Sequence, residues 1–357
     1  MRDAEGAERC IVSALRAGAD HRQMADMLFA AVTDHRYVDV GHPLDFTNKA
    51  FEALDIVGWE YAEPILTSLV MGYANATRME ESNAWRYPVD LVQVLETAFG
   101  QLTEIERLRD AEIGRQEDGK TGRQADLVQL LLGDDPQATV DGLLAALRAG
   151  YSMEELAQTV AHAAALRIAR FHTSNEFGDW DTALHTFTFA NAVHQGMQRA
   201  PSVELLRGVF DAAMSIYLDR FLNIPAARLP ARPAQPTPDL ATDAQLAELT
   251  ALLDKQQQVN QAGQKLAQFL YSEGDIDRML AQIGKLLLRE DRDFHTIQAV
   301  EAAFRHFTAW RGTAAGVNVL VAAIRYLAAH APTVRAQGQT FEIARRLHRG
   351  EKLFEGE

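Results

Sequence analysis

Eleven histidines and one cysteine set the chemistry open to this 357-residue chain. Imidazole is the commonest protein ligand for catalytic transition metals, and iron, zinc and copper all accept it. A single thiol, Cys10, leaves no internal disulfide, no Cys-ligated zinc and no Cys-held iron–sulfur cluster. Four of the histidines fall in two polar strings that interrupt apolar sequence: His35 and His42 in DHRYVDVGHPLDF, and His172 and His185 in RFHTSNEFGDWDTALHTF. His185 follows His42 by 143 residues, the same offset that pairs Phe46 with Phe189 and Asn48 with Asn191. Pro43 suits the first turn of a helix. Lys49, seven residues after His42, then lies almost two turns further on and on nearly the same face. Its counterpart is Ala192, so one copy supplies a lysine where the other supplies a small residue. His194 lies nine residues after His185, on the opposite face of a helix. The repeat match favours His185, and His194 and His162 stay open as replacements for one of the four.

The remaining polar residues near these strings have supporting readings. Asp34, Asp39, Asp45, Glu176, Asp179 and Asp181 can accept hydrogen bonds from ligand N–H groups, with helix capping as the plainer role for Asp179 or Asp181. Tyr37, Phe46, Trp180, Phe187 and Phe189 line an apolar pocket or pack a core. No HExxH, Glu-x-x-His, GxGxxG or GxSxG pattern occurs. The formal charge of −14 repels phosphate backbones and anionic lipid, so neither nucleic acid nor membrane is an expected partner. No apolar run approaches ~20 residues, and the first 30 residues mix Asp, Glu and Arg with apolar positions, unlike a signal peptide. The expected compartment is the cytoplasm.

The elements that must position these groups read as helices throughout. Ala and Leu dominate at three- and four-residue spacings, and alternating β-branched runs are hard to find, so the chain is expected to be all-α. The first region repeats itself. SALRAG at 13–18 recurs as AALRAG at 145–150, and each Gly stop is followed by a capping box, Asp20 with Gln23 and Ser152 with Glu155. The offset there is 132, so the second copy carries an 11-residue insertion before its His42 counterpart. The repeats span about 8–75 and 140–222 of a first domain, 1–222, and predict a pseudo-twofold bundle with a metal site where the halves meet. A Pro-rich linker is expected over 223–240 and a polar loop over 114–124. A C-terminal region, 241–357, carries helices near 243–271, 274–289, 294–310, 315–330 and 335–348.

The strings DHRYVDVGHPLDFTNKAFEALD, ESNAWRYPVDLV and RIARFHTSNEFGDWDTALHTFTFANAVHQ resemble the long helical region of bacterial Rieske-domain-containing proteins, over about residues 8–225. With one cysteine, the Rieske cluster itself has no ligand set here, and the resemblance implies a separate electron donor. More distantly, the pattern is similar to questin-oxidase-like proteins, helical non-heme iron oxygenases that open aromatic polyketide rings. That resemblance implies a mononuclear Fe(II) centre, with Mn or Zn as alternatives. Its ligands would be His35, His42, His172, His185 and a carbamate on Lys49. The expected function is therefore oxygenation of a small organic, aromatic molecule with O2. The C-terminal helices are open to three roles: capping the first region, covering the site or forming a homodimer. Two other readings compete: a non-catalytic helical scaffold or ligand-binding protein, and a metallohydrolase whose lysine carbamate bridges two metals.

Overall fold

The computed structural model of the chain describes residues 3–111, 120–232, 242–272 and 274–352. All regular structure among them is helical, with no strand. The chain divides into two units that are discontinuous in sequence: Met1–Arg167 with His185–Ile224, and Ile168–Leu184 with Pro225–Glu357. Composition alone places 168–184 in the first region; by its contacts this segment belongs with the C-terminal helices.

The first unit is organised around the helix Val203–Leu218. Leu205, Leu206, Val209, Phe210, Ala212, Ala213, Met214 and Ile216 are all buried, so this helix is apolar on every side, as a central helix must be. It packs against His21–Val32, Leu91–Ala111, Lys120–Leu131 and Pro136–Arg148. Gly208 is what lets two of its neighbours close in: a Cβ there would stand 3.1 Å from Val193 Cγ2 and 3.4 Å from Thr33 Cγ2. In the second unit the equivalent place is taken by Ala314–Ala329, which packs against Val259–Tyr271 and Phe294–Ala309. Arg325 on that helix is buried and donates to Asn260 Oδ1 and to the carbonyl of Phe171. Trp180 packs edge-on to Tyr326 and His330. These contacts are why 168–184 groups with the second unit.

The two copies of the repeat end and restart their helices by the same chemistry. Ala4–Arg16 stops at Gly18 (φ +89°) and Pro136–Arg148 at Gly150 (φ +94°), both left-handed. In each, the residue after the glycine donates back to the helix, Ala19 N–H to Ala14 O at 3.0 Å and Tyr151 N–H to Ala146 O at 3.1 Å. Both expected capping boxes form. Asp20 Oδ1 accepts from Gln23 N–H at 2.9 Å while Gln23 Oε1 accepts from Asp20 N–H at 3.0 Å. Ser152 Oγ accepts from Glu155 N–H at 3.0 Å while Glu155 Oε2 accepts from Ser152 N–H at 2.7 Å. The third helices differ: His42 opens His42–Val57, whereas His185 lies well inside Phe177–Arg199.

Three expectations change. Residues 120–124 of the expected loop are helical, in Lys120–Leu131, because the Gln-, Leu- and Val-rich run that follows carries the helix back over them; 114–119 lie outside the described residues. The helix expected over 243–271 is two, Thr242–Leu253 and Val259–Tyr271. It breaks because Asp254 is drawn to Arg289 Nη1 at 3.0 Å and Arg335 Nη2 at 2.6 Å, and Gln257 takes a left-handed turn (φ +62°). The linker's first residue, Asn223, closes a 3-10 turn, Asp219–Asn223, and Pro233, Pro236 and Pro238 lie outside the described residues. Asp20→Ala and Ser152→Ala should each lower stability by about 1 kcal/mol, because each opens a capping box. Urea unfolding followed by circular dichroism measures both, and a loss at one copy alone would show that the boxes do not do the same work.

Candidate functional site

The site begins with a backbone that few sequences tolerate. Tyr37 (φ +43°), Asp39 (φ +46°), Val40 (φ +51°) and Gly41 (φ +93°) are all left-handed. For a β-branched residue such as Val40 this conformation is costly, of order 1–3 kcal/mol. Arg36 holds the segment in place. Its Nη1 donates to Asp211 Oδ1 at 3.1 Å and its Nη2 to the carbonyls of Thr33 at 2.6 Å and Asp34 at 3.1 Å. Glu80 accepts from Arg36 N–H at 3.0 Å, and Asp39 N–H donates to Thr77 O at 2.8 Å. The Tyr37 ring is clamped between Trp85 and Phe189. Gly41 ends the run because nothing larger fits: a Cβ would stand 2.7 Å from Phe189 Cβ and 2.8 Å from its Cδ2. The helix His42–Val57 therefore starts pressed against Phe189, one turn beyond His185 in Phe177–Arg199.

That approach brings two histidines together. His42 Nε2 lies 3.1 Å from His185 Nε2, with the rings perpendicular and their centroids 4.9 Å apart. Behind His42, Asp39 Oδ2 lies 3.6 Å from Nδ1, and Asp39 Oδ1 accepts from Thr77 Oγ1 at 2.9 Å. Two facing imidazole nitrogens can share one proton or bind one transition-metal ion. A carboxylate on the far nitrogen of one of them is the usual means of fixing its tautomer.

The other expected ligands have partners of their own. His35 Nδ1 lies 2.6 Å from Glu80 Oε1, the carboxylate that also takes the Arg36 N–H. Lys49 Nζ lies 2.8 Å from Glu52 Oε2 with its side chain 29% exposed, and Asp45 is buried. His172 belongs to the second unit, where its Nδ1 lies 2.7 Å from Ser174 Oγ in the turn before Phe177–Arg199. His194 is buried, and desolvation lowers its pKa; Glu154 lies 3.9 Å from its Nε2. His162 is half-buried, and desolvation pushes its pKa down to about 4. Asp179 is a helix-start residue, its Oδ2 accepting from Glu176 N–H at 2.9 Å. Among the aromatics, Tyr37, Phe187 and Phe189 are core and Phe46 is 46% exposed.

A buried polar cluster alongside was not legible in the sequence. Asp219 is buried, and its pKa is pushed up to about 7 by desolvation, against the Thr186 hydroxyl that donates to it and the nearby Arg167. Thr186 also sits against the Tyr37 phenol, and burial raises that phenol's pKa. Asp211 is likewise raised, to about 6, by burial, with Arg36 opposing. Thr186 follows His185 directly and could have been found by its position; Asp219 and Asp211 carried no signal, since Asp-Arg and Phe-Asp-Ala look like surface helix sequence. Comparisons with family models, with curated proteins and with solved structures find no match.

Two outcomes follow. Gly41→Ala should destabilise the fold by about 2–4 kcal/mol, since it adds a Cβ both to a left-handed backbone and into Phe189; chemical denaturation measures it. Asp219 gives a pH dependence. Its folded-state pKa of about 7 exceeds the ordinary 3.8, so the folded state holds the proton more tightly than the unfolded chain. The resulting stability is fully present below pH 3.8 and is lost as pH rises through about 7. His162 acts oppositely, losing stability as pH falls from 6.5 through about 4. The Asp219→Asn variant should therefore gain stability relative to wild type as pH rises over this window, and parallel melting curves would refute the assignment.

Proposed function

We propose that the chain is a mononuclear non-heme metal protein, with Fe(II) the favoured ion, and that His42 and His185 are its first two ligands. The observation that carries this reading is their 3.1 Å Nε2–Nε2 separation. Two imidazole nitrogens held about 2.1 Å from one ion stand about 3.0 Å apart at a right angle and about 3.4 Å apart at the tetrahedral angle. The Asp39 carboxylate behind His42 and the strained segment that delivers it both suit a site built for placement of one ligand. The activity proposed is O2-dependent oxidation of a small aromatic molecule, supported by the resemblance to helical non-heme iron oxygenases, with a separate protein as electron donor. An ion so held would supply activation of dioxygen. No helix of the described residues is long and apolar enough to cross a membrane.

Lys49 enters the proposal with a condition. A carbamate there would be an anion beside the Glu52 carboxylate, so the ion pair must open for Lys49 to serve as a ligand. A second reading rests on the same 3.1 Å: one neutral imidazole N–H donating to the other ring, in a non-catalytic helical scaffold. Metal analysis of protein purified without an affinity tag separates the two. The metal reading expects near-stoichiometric iron, lost in His42→Ala and His185→Ala while helicity is kept. Lys49→Ala should lose metal as well if the carbamate forms. Wild-type protein without metal, or with metal unchanged in both histidine variants, would leave the hydrogen-bonded pair as the correct reading.

A further inference from the structure

The first unit carries an open surface cavity of about 320 Å³ that neither paired histidine lines, with the Tyr87 and Phe221 rings at its edge largely exposed. Its walls are Tyr87, Pro88, Leu91, Tyr217 and Phe221, with one cation, Arg220. Arg220 lies in the turn Asp219–Asn223, which follows the central helix. Its guanidinium carbon stands 3.9 Å from the centroid of the Tyr217 ring and 4.0 Å from that of Phe221. Nη1 donates to the Tyr217 carbonyl at 3.0 Å. Among the described residues, nothing accepts from Nε or Nη2, and no carboxylate lies within ion-pair distance.

That is unexpected in a chain with 49 acids against 35 Lys and Arg. The acids nearest in sequence or around the cavity are engaged elsewhere. Asp219 turns inward to Thr186 and Arg167, and Asp90 pairs with Arg86 at 3.1 Å. Two aromatic faces hold the guanidinium plane, so its remaining donors are pre-aimed before any ligand arrives. One cation in an otherwise apolar, ring-lined cavity of this size matches one monoanionic group carried on a small flat apolar body. A phosphate dianion would keep one negative charge uncompensated beside a single arginine.

We propose that this cavity binds a small aromatic carboxylate, its ring against Tyr87 and Phe221 and its carboxylate on Arg220. The site does not depend on the metal reading. Titration of the full-length protein with 2-naphthoate, followed by calorimetry and by two-dimensional NMR, tests it. Saturable one-to-one binding is expected, weakened about tenfold or more in Arg220→Gln, the loss typical of one charge-assisted hydrogen-bonded pair. The neutral isostere 2-naphthylmethanol should bind wild type about as weakly as the acid binds the variant. Ala84 also lines the cavity, and Ala84→Trp, which adds bulk there and keeps the cation, should abolish binding. No saturable binding to wild type, equal affinity in Arg220→Gln, equal affinity for the alcohol, or undiminished binding in Ala84→Trp would each overturn the proposal.

Discussion

The close contact between Gly41 and Phe189 is the constraint on which the rest of the first unit's polar architecture depends. A Cβ at position 41 would overlap the Phe189 side chain at 2.7 Å, so the start of His42–Val57 can approach Phe177–Arg199 only with glycine there. The facing imidazoles follow from helix geometry, because His42 is the next residue and His185 is one turn back from Phe189. Every other peculiarity of residues 33–41 serves that contact. The chain passes from His21–Val32 to His42–Val57 through left-handed positions that Arg36, Asp211, Glu80 and Thr77 hold by hydrogen bonds. Local conformational energy is spent where it places one side chain, and the hydrogen bonds around Arg36 hold the segment in that conformation.

The same interior carries opposed electrostatic demands. Asp211 has a guanidinium against it and still titrates above the usual carboxylate range, because burial outweighs the neighbouring charge. Asp219, opposed by the Thr186 hydroxyl and by Arg167, is raised further. His162 and His194 shift the other way for the same reason, since desolvation penalises whichever form is charged. Burial thus draws carboxylates and imidazoles toward each other on the pH scale, and the interior favours neutral groups that can still exchange protons.

How far the sequence could be read depended on whether a feature was local. The helix ends at Gly18 and Gly150 and the capping boxes that follow are written within six residues, and they form as the residues require. The pairing of His42 with His185 was legible because a shared offset linked two distant strings. The partner of His35 was not, since Glu80 lies far along the chain. Asp211, Asp219 and Arg220 gave no sign, because whether a charge is buried depends on packing that no short window records. The break at 254–258 escaped for a similar reason: Asp254 is extracted by arginines far downstream.

The discontinuous division of the chain sets the order in which it can fold. The polypeptide leaves the first unit after Arg167, returns at His185 and leaves again after Ile224. During synthesis, residues 168–184 emerge long before the helices around Ala314–Ala329 that receive them. The carbonyl of Phe171 and the ring of Trp180 must wait for Arg325, Tyr326 and His330. Domains generally fold as they leave the ribosome, N-terminal first. Here the buried side chains of the excursion, Phe171 and Trp180, lack their packing partners until Ala314–Ala329 has been made.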